Sequence, residues 1–188
     1  REDITPAGAR LLAVSESPPL GELVRDINKF SNNVMARQVF LRLGAGDPAR
    51  ARQTIRAWLG QKRLDFPELV LDNGAGLSRE ARISAQHLAQ LLAVVWKSPI
   101  MPELIASLPI VAVDGTTKKR YDGVAYAGQA HLKTGSLEGV RSIAGYLLDR
   151  HGRRWIVVFI VNHPNAGGAQ PAFDALLDWL WRDGRPAG

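Results

Sequence analysis

Cysteine is absent from the 188 residues. Disulfides, thiolate nucleophiles and cysteine-ligated zinc are excluded together. The compartment stays open, because a chain with an adequate core needs no disulfide even in an oxidising space. Histidine is scarce: His87, His131, His151 and His163 lie at least 12 residues apart and form no H-x-x-x-H pair, so no metal site is expected. Long apolar runs are also missing. The longest, Leu91–Trp96 and Trp155–Val161, have six and seven residues, against roughly 20 for a membrane-spanning helix.

What remains describes a globular chain. Apolar residues make up 46% and charged residues 22%, and the length suits one domain with its own core. The net charge is +6, carried by 18 arginines and 6 lysines. A basic surface suits an anionic partner such as nucleic acid, a membrane face or an acidic wall polymer. It is equally read as a solvated surface, because the basic residues are scattered. The tightest groups are Lys118-Lys119-Arg120 and Arg150 with Arg153-Arg154. The chain opens Arg1-Glu2-Asp3, without Met or an apolar signal region, and is expected to be an excised part of a longer polypeptide.

Periodicity divides the chain. Ala9–Val14 is expected to form a short strand. Leu23, Val24, Ile27 and Phe30 follow helical spacing, and Val34, Met35, Val39 and Leu43 continue it beyond Ser31-Asn32-Asn33. Asp47-Pro48 starts a further helix, with Gly60 as its expected end, and Ser84 caps another over 85–97. Val70-Leu71 is extended and Asn73-Gly74-Ala75-Gly76 is a tight turn. The last third changes period: 131–136, 142–148 and 155–162 read as strands, the last two joined through Asp149-Arg150-His151-Gly152. Pro171 opens a terminal helix closed by Gly184. The outline is α+β: a helical lobe over about 20–100, then an antiparallel sheet with a helix against it over about 130–184.

Two short motifs carry chemistry. Ser31-Asn32-Asn33 is an S-x-N, and Lys133-Thr134-Gly135 is a K-T-G. Residues two apart on a helix point in nearly opposite directions, so Ser31 and Asn33 serve one pocket only if the helix breaks between them. Asn-Asn is a plausible break. The hydroxyl then relays a proton and the amide binds a carbonyl. The plainer alternative is that Ser31 caps the second helix. Lys133 offers a fixed charge, Thr134 a hydroxyl for a carboxylate, and Gly135 an open strand edge for a peptide. Here the plainer alternative is a basic strand ended by a glycine turn.

The motifs sit among other stretches: Ser-Pro-Pro-Leu-Gly-Glu-Leu from Ser17, Asn-Gly-Ala-Gly-Leu-Ser-Arg from Asn73, Leu-Pro-Ile-Val-Ala-Val-Asp-Gly-Thr from Leu108, Lys-Thr-Gly-Ser-Leu-Glu-Gly-Val from Lys133 and Ile-Ala-Gly-Tyr from Ile143. In this order they resemble the low-molecular-mass penicillin-binding proteins of the penicillin-binding protein 4 type, which are D-Ala-D-Ala carboxypeptidases and endopeptidases. S-x-N and K-T-G with an upstream S-x-x-K form a known motif set of penicillin-binding proteins and β-lactamases.

The resemblance implies the C-terminal part of a serine β-lactamase/penicillin-binding transpeptidase-like fold. It implies that Ser31 shuttles a proton to the leaving D-Ala amine, Asn33 binds the substrate amide, and Lys133 supports Ser31. Thr134 would bind the terminal carboxylate beside Gly135, and the Ser136 N–H would be one oxyanion-hole donor. Arg79 or Arg82 would contact an acidic peptide stem. Peptidoglycan stem peptides and, in the intact parent, β-lactams are the implied partners. No cofactor or metal is implied, and the implied location is periplasmic or extracytoplasmic. The departure from the pattern is the nucleophile: no serine is followed three residues later by lysine. The one near match, Thr116 with Lys119, falls in the wrong place. Two alternatives follow. One is a non-catalytic module of the same fold that binds peptidoglycan or a partner. The other is a nucleic-acid binder, suggested by charge alone, whose binding would depend steeply on salt.

Overall fold

A computed structural model describes residues 5–185. Among the described residues six α-helices and three strands form three layers. Helices α1 (Leu20–Phe30), α2 (Asn33–Leu43), α3 (Pro48–Gln61), α4 (Ala85–Trp96) and α5 (Met101–Ser107) precede strands β1 (Ala130–Leu137), β2 (Val140–Leu148) and β3 (Arg154–Asn162), and α6 (Gln170–Asp183) ends the described chain. The sheet is antiparallel in the order β1-β2-β3, so β1 and β3 are its edges.

The strand period assigns the faces. Ala130 and Leu132 of β1, Ile143 and Leu147 of β2 and Val157 of β3 pack against Phe173, Leu177 and Leu180 of α6. Ala144, Tyr146 and Val158 face the other way, against Leu92 and Trp96 of α4 and Leu104 and Leu108 at α5. Lys133 pairs with Ala144, so it too faces the helical lobe.

The Ile-Ala-Gly-Tyr stretch acquires a physical reason. Ile143 is fully buried. Gly145 has φ +151, and a Cβ there would run into the His131 carbonyl on β1, so only glycine keeps β1 and β2 in register. Tyr146 donates its hydroxyl proton to the Leu92 carbonyl at 2.8 Å, tying the sheet to α4. The Asn73–Gly76 turn has a similar logic. Gly74 and Gly76 take positive φ, and a Cβ on Gly74 would strike the Phe40 ring of α2.

Several expectations change. Residues 9–14 form no strand, and Leu11 and Leu12 are exposed; among the described residues no neighbouring strand pairs their backbone groups. Gly60 does not end α3. The helix continues through Gln61, and Arg63 takes the left-handed conformation at φ 57 while Leu64 N–H bonds back to Leu59 O, the geometry usually given to glycine. A short helix that the periodicity did not mark, α5, follows α4: Pro102 stands in its first turn, where a missing N–H costs nothing. In α1 the apolar stripe is displaced, for Phe30 is exposed and its neighbour Lys29 is buried.

Candidate functional site

The helix breaks at Ser31-Asn32. Ser31 is left-handed at φ 53, a conformation that costs a non-glycine residue about 1 kcal/mol or more. Asn32 then starts α2, its side-chain oxygen accepting from Met35 N–H at 3.1 Å. The cap is therefore Asn32 and not Ser31, which leaves the Ser31 hydroxyl free of a capping role. Asn33 follows half-buried as the first residue of α2.

Lys133 reaches this break from the sheet. Its Nζ donates to Ser31 Oγ at 2.5 Å and to the Thr134 carbonyl at 3.1 Å. Burial alone lowers the Lys133 pKa below the ordinary lysine value, because a low-dielectric surrounding disfavours the ammonium. Thr134 comes next on the strand, and its hydroxyl lies 3.4 Å from that of Thr116.

The outer edge of β1 is half covered. Val111 N–H bonds to Ala130 O, and Leu132 N–H to Pro109 O, so the even-numbered residues of β1 turn their backbone groups away from β2. The register continues unbroken to Leu137. By the two-residue period the N–H groups of Thr134 and Ser136 face the same outer edge, beyond the covering segment. Gly135 is mid-strand and not a turn residue. A Cβ there would meet the Ser142 hydroxyl on β2, so the glycine lets β2 close against β1 at this point.

Arg79 lies at the same end of the sheet. It bonds the Glu138 carboxylate at 3.1 Å and the Glu138 carbonyl at 3.3 Å, at the β1–β2 turn. Both partners are largely exposed, and such a pair holds little energy.

Lys29, Asp114, Asn28 and Gly115, outside the S-x-N and K-T-G motifs, complete the arrangement. Lys29 is 4% exposed, and its Nζ bonds Asp114 Oδ2 at 2.6 Å and Leu108 O at 2.7 Å. The other oxygen of Asp114 accepts from Ile110 N–H at 2.7 Å. Beside them Asn28 donates to Ser107 Oγ at 2.8 Å. Gly115 packs its backbone on α1: at φ +56 a Cβ would stand 2.6 Å from Lys29 O. The end of α1, two residues before Ser31, is thus locked to the turn that carries Thr116. The sequence signal for this lock is the Leu-Pro-Ile-Val-Ala-Val-Asp-Gly-Thr stretch, whose aspartate pairs with Lys29.

An antiparallel sheet between one terminal helix and a helical lobe, with a serine at a helix break bonded to a strand lysine, defines a penicillin-binding-type fold. The chain belongs to the D-Ala-D-Ala carboxypeptidase 3 (S13) family, whose pattern matches residues 2–181. It is 33% identical over 187 residues to a carboxypeptidase of Mycobacterium tuberculosis, covering 94% of this chain and 40% of that protein. It is 31% identical over 171 residues to a D-alanyl-D-alanine carboxypeptidase of Actinomadura sp., covering 86% and 31%. The solved structure of penicillin binding protein 4 from Haemophilus influenzae superposes with a TM-score of 0.77 at 24% identity, covering 92% of this chain and 43% of that one. The chain therefore spans 40% or less of the length of these two carboxypeptidases. Among the described residues no helix is long and apolar enough to cross a membrane.

Proposed function

We propose that these residues are the C-terminal portion of a serine D-Ala-D-Ala carboxypeptidase/endopeptidase that acts on peptidoglycan stem peptides outside the cytoplasm. The reaction is acyl transfer to a serine followed by hydrolysis. The acylated serine lies outside the 188 residues, since no S-x-x-K occurs in them. Ser31 passes a proton to the leaving D-Ala amine, and Lys133 supports Ser31 electrostatically through its positive charge. Asn33 binds the substrate amide, and Thr134 the terminal carboxylate. The Ser136 N–H supplies one oxyanion-hole donor at an edge that β2 leaves free. Gly135 acts indirectly, by letting Ser142 close against β1. Arg79 exchanges its exposed bond to Glu138 for an acidic group of the stem peptide. β-Lactams acylate the same serine in the intact protein.

The observation that carries this reading is the Lys133–Ser31 hydrogen bond beside an open strand edge. A non-catalytic module that only holds stem peptides is the second reading, favoured by the missing S-x-x-K. The test is D-Ala release from an acyl-D-Ala-D-Ala peptide by the full-length protein. Release that penicillin blocks supports the enzyme. Peptide binding without release overturns it in favour of the module.

A further inference from the structure

Thr116 stands on a turn fixed at both sides. Asp114, two residues before it, is held by Lys29 Nζ and Ile110 N–H. Thr117, immediately after it, is fully buried and donates its hydroxyl to Asp114 O at 3.2 Å, while its carbonyl accepts from Ala112 N–H. Thr116 itself is exposed. The fold thus presents one hydroxyl from a rigid turn, 3.4 Å from the hydroxyl of Thr134.

That separation is long for a bond between two hydroxyls, which usually measures about 2.7–2.8 Å. Each hydroxyl keeps its donor available for a third group. Two donors at this spacing suit the two oxygens of one carboxylate, and the setting is electropositive. The Lys133 ammonium bonds the Thr134 carbonyl, and Lys118 and Lys119 follow on the same turn. The nearest acid along the chain, Asp114, has both oxygens already bonded, to Lys29 Nζ and to the Ile110 N–H.

We infer that Thr116 is a substrate-binding residue, its hydroxyl joining that of Thr134 to hold the terminal carboxylate of the peptide. This rests on the acyl-transfer reading above. No bond forms or breaks at Thr116; it adds a charge-assisted hydrogen bond to the bound carboxylate.

The test uses the full-length protein with Thr116→Val, which keeps the shape and removes the hydroxyl, and Thr116→Ser, which restores it. KM for an acyl-D-Ala-D-Ala peptide should rise about ten-fold in Thr116→Val, as expected for one charge-assisted hydrogen bond, with kcat within about two-fold. Thr116→Ser should return KM to near the wild-type value. Acylation by benzylpenicillin should slow in Thr116→Val, while acylation by its methyl ester, which offers no carboxylate, should not change further. Unchanged KM in Thr116→Val, or equal slowing with acid and ester, overturns the role of Thr116 alone. Wild-type protein that neither releases D-Ala nor takes up penicillin overturns this inference and the functional reading together.

Discussion

Lys133 Nζ donates to Ser31 Oγ at 2.5 Å across 102 positions of sequence. The helix break and the sheet edge that make this contact are built independently. Ser31 leaves α1 because it turns left-handed, and Lys133 faces it because its place on β1 points to the helical lobe. Neither residue is positioned by the other, so replacing one should leave the other where it is.

Lys133→Ala in the full-length protein should therefore lower kcat/KM by about 10²–10³, the usual cost of removing one preorganised electrostatic contact to a transition state. Lys62→Ala should change it little. Lys62 is exposed beyond α3 and lies over the Trp58 ring at 5.9 Å. Steady-state kinetics on both variants decide the point; comparable losses would remove Lys133 from the chemistry.

The same lysine should set an alkaline limit to the activity. Its pKa is lowered by burial from the ordinary 10.5, so the rate should fall along a limb that begins below that value, as the ammonium loses its proton. Stability moves the other way. Between the folded and unfolded pKa the unfolded chain binds more protons, and stability rises with pH through that window. A pH profile of kcat/KM read beside thermal melts checks both signs, and a rate that stays flat to pH 10.5 would contradict the first.

The Lys29–Asp114 pair should matter for folding and for alignment of the site. Removing one partner of a buried pair leaves a charge uncompensated, at a cost of about 3 kcal/mol or somewhat less here, because the Asp114 side chain is 38% exposed. Asp114→Ala should lower the melting temperature of the full-length protein and reduce kcat/KM at temperatures where it stays folded. Loss of stability with unchanged kinetics would confine the pair to a structural role.

Glu68 predicts an acid limit for the helical lobe. Hydrogen bonds from Ser84, through its side chain and its backbone N–H, lower the Glu68 pKa from 4.5 to about 2, and His87 Nδ1 lies 2.7 Å away. The stabilisation is complete above pH 4.5 and is lost as pH falls toward 2. Glu68→Gln should melt lower than wild type at neutral pH and converge with it near pH 2. A difference that persists undiminished at low pH would contradict this.

Much of this was legible in the sequence, for reasons that vary by residue. The three strands announced themselves by a change to period two and by Gly152 in a turn, and Ser84 and Pro171 marked helix starts through side-chain chemistry that acts locally. The Ser31–Lys133 meeting needed the motif order, since no local rule joins residues a hundred positions apart. What stayed hidden depended on tertiary contacts. A lysine beside Phe30 on an amphipathic helix is ordinarily the exposed residue; only Asp114 and the Leu108 carbonyl, some 80 positions away, make Lys29 the buried one. Arg63 stands in the left-handed position past α3, where glycine was the expected residue, because α3 runs past Gly60 to Gln61. Residues 9–14 are a short, mostly apolar run with no strand beside them among the described residues.

The central claim is that Ser31 relays a proton while a different serine, outside these 188 residues, is acylated. An activated nucleophile needs its own base held in geometry with it, and no serine of these 188 residues is followed three residues later by lysine. The direct measurement is to label the full-length protein with a fluorescent penicillin, digest it, and locate the adduct by peptide mass, with residues 1–188 alone as the parallel sample. The account predicts one adduct per protein, on a serine outside residues 1–188, and no adduct on the 188-residue chain by itself. An adduct on Ser31, in either sample, would contradict it.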